Sequence, residues 1–308
     1  MESIVVLKDV TKVIKGRTII DNISFQVNKG EVFGFLGPNG AGKTTTIRMM
    51  VGLMEITSGD IKIGNASIKT QFEEAVSRVG AIVENPEMYK FMSGQDNLIH
   101  FARMSKGITK EKIADVVKLV GLTDRIHDKV KTYSLGMRQR LGLAQCLLHD
   151  PEVLILDEPT NGLDPAGIRE IRDYIRLLAR EKGMAVIVSS HMLSEMEMMC
   201  DRIGIIQNGC LIDVQLVEEF VQADELFYEL EVVPSERAIS LIQTNYPAVQ
   251  VTSSRNGISA ELKKEEIPAV VKLFVEADIQ IFAIKEIAKT LEDRFLEVTA
   301  EKEGANRD

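Results

Sequence analysis

Short, almost continuously apolar runs mark the first two thirds of the chain. They lie at 31–36, 153–156 and 185–188, and each one is flanked by polar or glycine-rich residues. Such runs are typical of parallel strands that are buried on both faces of a sheet. Two segments with alternating apolar residues, 4–10 and 18–27, predict two further strands.

Segments with helical spacing separate these strands. Apolar residues predict a helix over 44–53, a mainly helical stretch from about 96 to 149, and an amphipathic helix over 168–181 that ends at Gly183. Strands that alternate with helices predict an α/β fold with a mixed or parallel sheet flanked by helices.

The pattern changes after about residue 215, where glycine becomes scarce. The predicted order is strand, helix, strand, strand, helix, strand and a final helix, at 227–233, 235–245, 249–254, 258–262, 265–277, 279–285 and 287–300. A turn at Asn256-Gly257 joins the two middle strands. The βαββαβ order predicts a small ferredoxin-like α+β domain. We therefore expect domains at 1–215 and 216–308, the second of them accessory or regulatory.

Composition and charge narrow the function. The net charge is −9, Trp is absent and aromatic residues make up 5%, so a nucleic-acid partner is not expected. No run reaches the roughly 18 apolar residues of a membrane span, and the N-terminus lacks a signal-peptide pattern, which predicts a cytoplasmic chain. Cys146, Cys200 and Cys210 fit no metal or redox spacing and are expected to be unpaired, buried or half-buried thiols.

A phosphate-binding loop follows the first buried strand. Its residues match the pattern G-x-x-x-x-G-K-[ST] and are Gly37, Pro38, Asn39, Gly40, Ala41, Gly42, Lys43 and Thr44. Glycines let the backbone N–H groups face the phosphates, and the next helix adds its positive N-terminal end. Lys43 is expected to reach the β- and γ-phosphates of ATP and Thr44 to bind Mg²⁺, with Thr45 as a further ATP contact.

Two acids, Asp157 and Glu158, end the second buried strand. Ligands bind at the carboxyl ends of strands in open α/β sheets, so both acids should lie beside the loop. We expect Asp157 to hold Mg²⁺, through water, and Glu158 to act as general base toward the attacking water. Two acids at a strand end also occur in ordinary solvated turns, but their pairing with the phosphate-binding loop favours a functional role.

Three more motifs make the resemblance specific. Ser134-Leu135-Gly136-Met137-Arg138-Gln139-Arg140 resembles the ABC signature, Asn161-Gly162-Leu163-Asp164-Pro165 resembles the D-loop of that family, and Ser189-Ser190-His191 resembles its switch-histidine loop. The motifs stand in the family's order and cover residues 1 to about 215. The resemblance implies a P-loop NTPase of ABC type, with an antiparallel β subdomain and a helical subdomain at about 85–150.

The resemblance also implies roles and partners. Two such domains pair head to tail, so Ser134, Gly136 and Asp164 would act in trans on the ATP of a second copy in a homodimer. His191 would contact the γ-phosphate, and Asp164 is also a candidate N-cap for the 168–181 helix. A separate transmembrane permease would bind around Glu87–Phe101 and hold the chain at the inner face of the cell membrane.

Several residues depart from the family pattern. Leu135 and Met137 replace a glycine and the glutamine of the signature, and Glu84 stands where the family usually carries Gln, as a candidate Mg²⁺ ligand. Ile14 stands where an aromatic residue usually stacks on adenine. The signature and Glu84 resemble the bacitracin- and lantibiotic-type branch, and the segment 290–297 resembles the end of ATPases that export drugs and antibiotics.

The apolar residues beside Pro86 allow two interpretations. Met88, Tyr89, Phe91 and Met92 could form core of the helical subdomain, or they could form an exposed groove for a permease helix.

The function that these observations favour is the ATP-hydrolysing subunit of an ABC transporter that exports a drug or peptide antibiotic. The alternative is a soluble ABC ATPase in DNA repair or translation, but the chain lacks a coiled-coil insertion and a second cassette. A nucleotide sensor without hydrolysis is disfavoured because Lys43, Asp157, Glu158 and His191 are all present.

Ile14 generates a prediction about nucleotide choice. An aliphatic side chain packs on a purine without π-stacking, so ATP binding should be weak or poorly base-selective, with ATP and GTP binding comparably. Titration of both nucleotides measures this, and an affinity for GTP far below that for ATP would contradict it.

Overall fold

The computed structural model describes residues 2–221, 227–254, 257–287 and 295. The chain divides into two compact units, Met1–Val217 and Glu218–Asp308. Asn256 of the predicted turn lies outside the described residues, as do 288–294 and 296–300 of the predicted final helix and most of the segment 290–297. Ile287, where that helix was predicted to begin, is the last residue of a strand.

The first unit contains the predicted alternation of strands and helices. Its strands are β1 (Ser3–Ile14), β2 (Arg17–Asn28), β3 (Val32–Leu36), β4 (Ser58–Ile63), β5 (Ala66–Ser67), β6 (Val79–Ile82), β7 (Val153–Asp157), β8 (Ala185–Ser190), β9 (Arg202–Gln207) and β10 (Cys210–Leu216). Its helices are α1 (Lys43–Met50), α2 (Phe72–Val76), α3 (Gly94–Ala102), α4 (Lys110–Leu119), α5 (Leu135–Cys146), α6 (Pro165–Lys182) and α7 (Leu193–Met199). A further helix, α8 (Val217–Val221), begins at the last residue of this unit.

A six-stranded sheet in the order β10-β9-β3-β8-β7-β6 forms the centre of the unit. The pairs from β9 to β6 are parallel, and β10 pairs with β9 in the antiparallel direction. Every residue of β3, β7 and β8 is buried, which confirms the three predicted central strands. Apolar residues predominate in these strands because both faces of the sheet are covered, and the polar residues of β7 and β8 stand at their carboxyl ends.

An antiparallel sheet in the order β2-β1-β4-β5 packs against the central sheet. The ring of Phe25 on β2 stacks on Phe33 and Phe35 of β3, at centroid distances of 5.1 and 5.6 Å. All three rings are buried in one core, and aromatic pairs of this kind stabilise by about 0.5–1.5 kcal/mol beyond the area they bury. This stacking therefore fixes β3, and the loop that follows it, against the smaller sheet.

The helices begin at residues that their sequences mark. Ser93, Thr109 and Ser134 cap α3, α4 and α5 with side-chain oxygens that accept from the backbone three residues on. The helix predicted over 168–181 begins earlier, at Pro165, because Asp164 is its N-cap and proline suits the first helical position. It ends, as predicted, at Gly183, which has φ 66°. No helix in the described part of the chain has the length and apolar character that a bilayer crossing requires.

The second unit has its own sheet and core. Its elements are β11 (Phe227–Val233), α9 (Ser235–Asn245), β12 (Val251–Ser254), β13 (Gly257–Glu261), α10 (Ile267–Glu276) and β14 (Gln280–Ile287). The four strands are antiparallel in the order β12-β13-β11-β14. Leu230, Ile258 and Phe274 are fully buried between this sheet and its helices. The predicted strands and helices are confirmed up to β14.

The three cysteines are free thiols, as predicted, but they differ in exposure. Cys146 and Cys200 are buried, whereas Cys210 at the start of β10 is exposed. Burial raises the pKa of the Cys146 thiol to about 12, and burial also raises the pKa of Cys200 strongly. The expectation of a buried or half-buried thiol is therefore wrong for Cys210.

This difference predicts which thiol reacts. A thiol reagent at pH 8 should label Cys210 rapidly in the native chain, because Cys146 and Cys200 are shielded and protonated. All three should react after denaturation. Counting reacted thiols with Ellman's reagent tests this, and Cys210→Ser is the control. Rapid native labelling of Cys210→Ser would contradict the burial of the other two.

Candidate nucleotide site

The loop after β3 leads directly into α1. Gly42 precedes that helix with φ 114°, a left-handed conformation that favours glycine, and it provides no side-chain cap. The first N–H groups of α1 are therefore not satisfied by a capping side chain, as a phosphate site requires. The ammonium of Lys43 donates to the carbonyl of Gly37 at 2.6 Å and lies 3.4 Å from that of Pro38. The loop residues thus fit the binding of a polyphosphate.

Strand register brings the predicted site residues to one edge of the sheet. Leu36 of β3 pairs with Ser190 of β8, and Asp157 of β7 pairs with Ser189 of β8. The carboxyl ends of three adjacent parallel strands therefore meet. The phosphate-binding loop, the two acids and the histidine loop all begin at this edge.

Asp157 is held by a serine of the neighbouring strand. Its side chain is 2% exposed, and the Ser189 hydroxyl donates to its Oδ1 at 2.6 Å. The backbone N–H of Glu158 donates to the Ser189 hydroxyl at 3.0 Å and lies 3.2 Å from the Ser189 carbonyl. Ser189 thus orients both acids. This role of Ser189 was not predicted from the sequence, although a hydroxyl at the end of an apolar strand was a signal for it.

Glu158 lies between Lys43 and His191. Its Oε2 is 2.6 Å from Nδ1 of His191, and its Oε1 is 3.7 Å from Nζ of Lys43. Its backbone has φ 52°, a conformation that costs a residue with a side chain roughly 1–3 kcal/mol and that is concentrated at functional sites. The carboxylate accepts from Nδ1, which leaves Nε2 of the His191 ring as the other polar atom. One carboxylate therefore joins the loop lysine to the histidine.

The charge of Lys43 is set by two opposing effects. Burial lowers the pKa of its ammonium below the usual value, while the nearby carboxylates of Glu158 and Asp157 raise it. The net direction is downward. The ammonium is thus partly desolvated, which strengthens its attraction to a bound anion.

The residues predicted to act in trans lie at two neighbouring helix starts. Ser134 and Asp164 are exposed N-caps, and Asp164 accepts from the backbone of Gly167 at 2.8 Å, which confirms its predicted capping role. Gly136 is half-buried in the first turn of α5. The Leu135 side chain packs toward Gly162. A Cβ atom added at Gly162 would lie 3.2 Å from Cδ2 of Leu135. The bulky signature residue is therefore accommodated by a glycine in the same chain.

Two predicted ligand residues, Ile14 and Glu84, are exposed. Ile14, the last residue of β1, is 37% exposed. The Glu84 side chain is 60% exposed and forms an ion pair with Arg48 of α1. The described residues contain no cluster of three or more His, Cys, Asp or Glu side chains placed to hold a metal ion. Mg²⁺ is usually bound by one or two carboxylates together with substrate phosphates, so Thr44, Asp157 and Glu84 stay predicted ligands.

The residues beside Pro86 divide between the two interpretations. Met88 is buried at 9% exposure, whereas Tyr89 and Phe91 are 43% and 71% exposed. The buried Asn97 side chain accepts from the N–H of Tyr89 at 2.8 Å and donates to its carbonyl at 3.1 Å. Tyr89 packs edge-on against Phe91 and His100. An aromatic surface is therefore held in a fixed conformation next to a buried methionine.

Known proteins resemble this chain in sequence and in fold. A family description for ABC transporters matches residues 20–161. An uncharacterised ABC transporter ATP-binding protein, YhcH of Bacillus subtilis (strain 168), is 64% identical over 98% of this chain and 97% of its own. The bacitracin transport ATP-binding protein BcrA of Bacillus licheniformis is 37% identical over 97% of this chain and 98% of its own. The dimeric structure of the ATP-binding cassette MJ0796, in a post-hydrolysis state with ADP and Pi, shares the fold with a TM-score of 0.62, at 22% identity over 69% of this chain and 98% of that one.

The Ser189–Asp157 hydrogen bond predicts an effect on magnesium. Ser189→Ala removes the hydroxyl and should release Asp157. The factor by which Mg²⁺ increases the affinity for ATP should then fall about ten-fold, because loss of a group that orients a metal ligand has an effect of this size. Titrations of ATP with Mg²⁺ and with a chelator measure this gain.

Ser67→Ala is the matched control for this prediction. It removes an equally short hydroxyl–carboxylate bond, 2.7 Å from Ser67 to Asp60, in the antiparallel sheet. The same loss of the Mg²⁺ effect in both variants would contradict a specific role for Ser189.

Proposed function

The chain belongs to the ATP-binding ATPases of the ABC transporter family, and we propose that it powers a separate permease that exports a drug or peptide antibiotic. The observation that carries the ATPase part is the position of Glu158 between Lys43 and His191, where the ends of β3, β7 and β8 meet. A hydrolase needs a base at the same edge as its phosphate loop, and Glu158 lies at that edge.

The proposed reaction is the attack of water on the γ-phosphate of ATP. The oxygen of the water bonds to the γ-phosphorus while Glu158 accepts a proton from that water. The bond from the γ-phosphorus to the bridging oxygen of the β-phosphate breaks, which leaves ADP and phosphate. His191, bonded to Glu158, orients that carboxylate and contacts the γ-phosphate. Lys43 neutralises charge on the β- and γ-phosphates. These roles are supported by the 2.6 and 3.7 Å contacts of Glu158.

The phosphate-binding loop and several residues outside it are proposed to bind the nucleotide and its metal ion. The backbone of the loop, from Gly37 to Thr45, would surround the phosphates, and Ile14 would pack on adenine. Thr44 and Asp157 would hold Mg²⁺, with Glu84 as a further ligand if it separates from Arg48. When bound, Mg²⁺ neutralises phosphate charge.

The site is proposed to be completed by a second copy of the chain. Ser134 and Asp164 are exposed at helix starts, where N–H groups and polar side chains can meet the phosphates of a partner. The MJ0796 cassette was observed as a dimer, which supports the same arrangement here. Closure would then depend on the γ-phosphate, because it bridges the two subunits.

The permease is proposed to bind the aromatic surface of Tyr89 and Phe91. Asn97 holds this segment through three hydrogen bonds, so the rings are presented without further ordering. Exposed aromatic rings on an ordered segment are typical of a protein–protein interface. Binding there would hold the chain at the inner face of the membrane. The similarity to BcrA supports a drug or peptide antibiotic as the exported substrate.

The second unit is proposed to be a ferredoxin-like accessory domain. Its βαββαβ order and its antiparallel sheet support that assignment. A regulatory or dimer-stabilising role fits its position after the ATPase unit in the sequence.

The proposed base predicts the behaviour of Glu158→Gln. The amide keeps the size of the side chain but does not accept the proton, so kcat for ATP hydrolysis should fall at least 100-fold while ATP still binds. ATP should also convert this variant to a lasting dimer, measured by size-exclusion chromatography with light scattering.

Glu181→Gln, at an exposed position of α6, serves as control and should match the unmodified chain. Unchanged turnover in Glu158→Gln would remove Glu158 as the base. A monomer in the presence of ATP would contradict the proposed pairing.

A further inference from the structure

A buried carboxylate lies behind the site and takes no part in the proposed chemistry. Glu195 of α7 is 5% exposed, and its Oε2 accepts a hydrogen bond of 2.5 Å from the hydroxyl of Thr160, which is 3% exposed. The other oxygen, Oε1, is buried and has no hydrogen-bond partner among the described residues. Burial of a carboxylate with an unmatched oxygen costs stability, so this pair needs a different explanation from simple stabilisation.

The Thr160–Glu195 bond is the last of three links between the same two segments. The first joins Asp157 to Ser189 at 2.6 Å, and the second joins Glu158 to His191 at 2.6 Å. All three links run from the end of β7 or the segment after it to the end of β8 or the segment after it. The first and third links are buried, whereas His191 in the second is exposed. The third link differs from the other two because neither of its residues has a role in the proposed chemistry.

Each partner of the third link continues into a functional segment. The carbonyl of Thr160 accepts from the N–H of Leu163 at 3.1 Å, which fixes the turn that leads to Asp164. Glu195 lies four residues after His191, in the first turn of α7. A rigid link between Thr160 and Glu195 therefore restrains the Asp164 loop and the His191 loop relative to each other.

We propose that Glu195 and Thr160 are positioning residues, which hold His191 against Glu158 and keep the Asp164 loop in register with the same site. This inference rests on the proposed roles of Glu158 and His191. Loss of the link should let His191 and Glu158 drift apart. The hydrogen bonds described for Thr160 and Glu195 do not involve the phosphate loop, so that loop should be retained. Misplacement of reacting groups by about 1 Å is enough to slow an enzyme by about 100-fold.

The test begins with Thr160→Val, which removes the hydroxyl at nearly constant volume. We expect kcat for ATP hydrolysis to fall at least ten-fold while KM for ATP changes less than two- to three-fold. Thr160→Ser, which restores a hydroxyl, should recover most of kcat. Glu31→Gln is the matched control, because Glu31 is a buried carboxylate at the opposite end of β3, bonded to Arg202.

A double variant separates positioning from stability. Thr160→Val combined with Glu195→Met replaces the polar pair by apolar side chains of similar size, which usually restores the stability lost in a single variant. We expect its Tm to return toward that of the unmodified chain while kcat stays low. Recovery of kcat together with Tm would show that the pair only stabilises the fold and would overturn the proposal.

The outcomes also distinguish this proposal from the proposed function. A full rate in Thr160→Val overturns the positioning role even if Glu158→Gln is inactive. Absence of ATP hydrolysis by the unmodified chain overturns the proposed function itself. An equal loss of kcat in Glu31→Gln would contradict the proposal, because the effect would then follow any buried carboxylate.

Discussion

The pairing of β8 between β3 and β7 is the constraint on which the rest of the structure depends. Each of these strands ends in a different functional segment, and parallel pairing in register brings the three ends together. A slip of one residue in β8 would turn Ser189 to the other face of the sheet and separate it from Asp157. The core supports this register, since all three strands are buried along their whole length.

Much of this arrangement was predictable from the sequence. The apolar runs, the glycine loop and the acids after β7 carry local signals, and the ends of parallel strands must share an edge. Other parts carried weaker signals. The strands β4, β5, β6, β9 and β10 and the helices α2, α7 and α8 were not predicted, although Ile61 and Ile63 alternate with polar residues in β4. The start of α6 was misplaced by three residues, although an N-cap followed by proline marked it.

The contacts that complete the site were beyond the sequence because they join distant residues through packing. Ser189 with Asp157, Thr160 with Glu195 and Arg48 with Glu84 are separated by more than 30 residues each. No local pattern gives the rotamer that brings such side chains together. Two departures from the family pattern are likewise explained by contacts between distant residues. Leu135 lies against Gly162, and Glu84 forms an ion pair with Arg48.

The carboxylate of Glu158 contacts both Lys43 and His191, and this double contact bears on how ATP binding would affect the proposed base. One of its oxygens faces Lys43, and the other is bonded to His191. A phosphate that attracts Lys43 would weaken the first contact and leave the second, because His191 follows a different strand from the one that leads into the loop. Glu158 then keeps its orientation through His191 while one oxygen becomes available to accept a proton. In the proposed reaction, binding of the substrate would thus free an oxygen of Glu158 without a large movement of the sheet, provided that His191 is itself held in place.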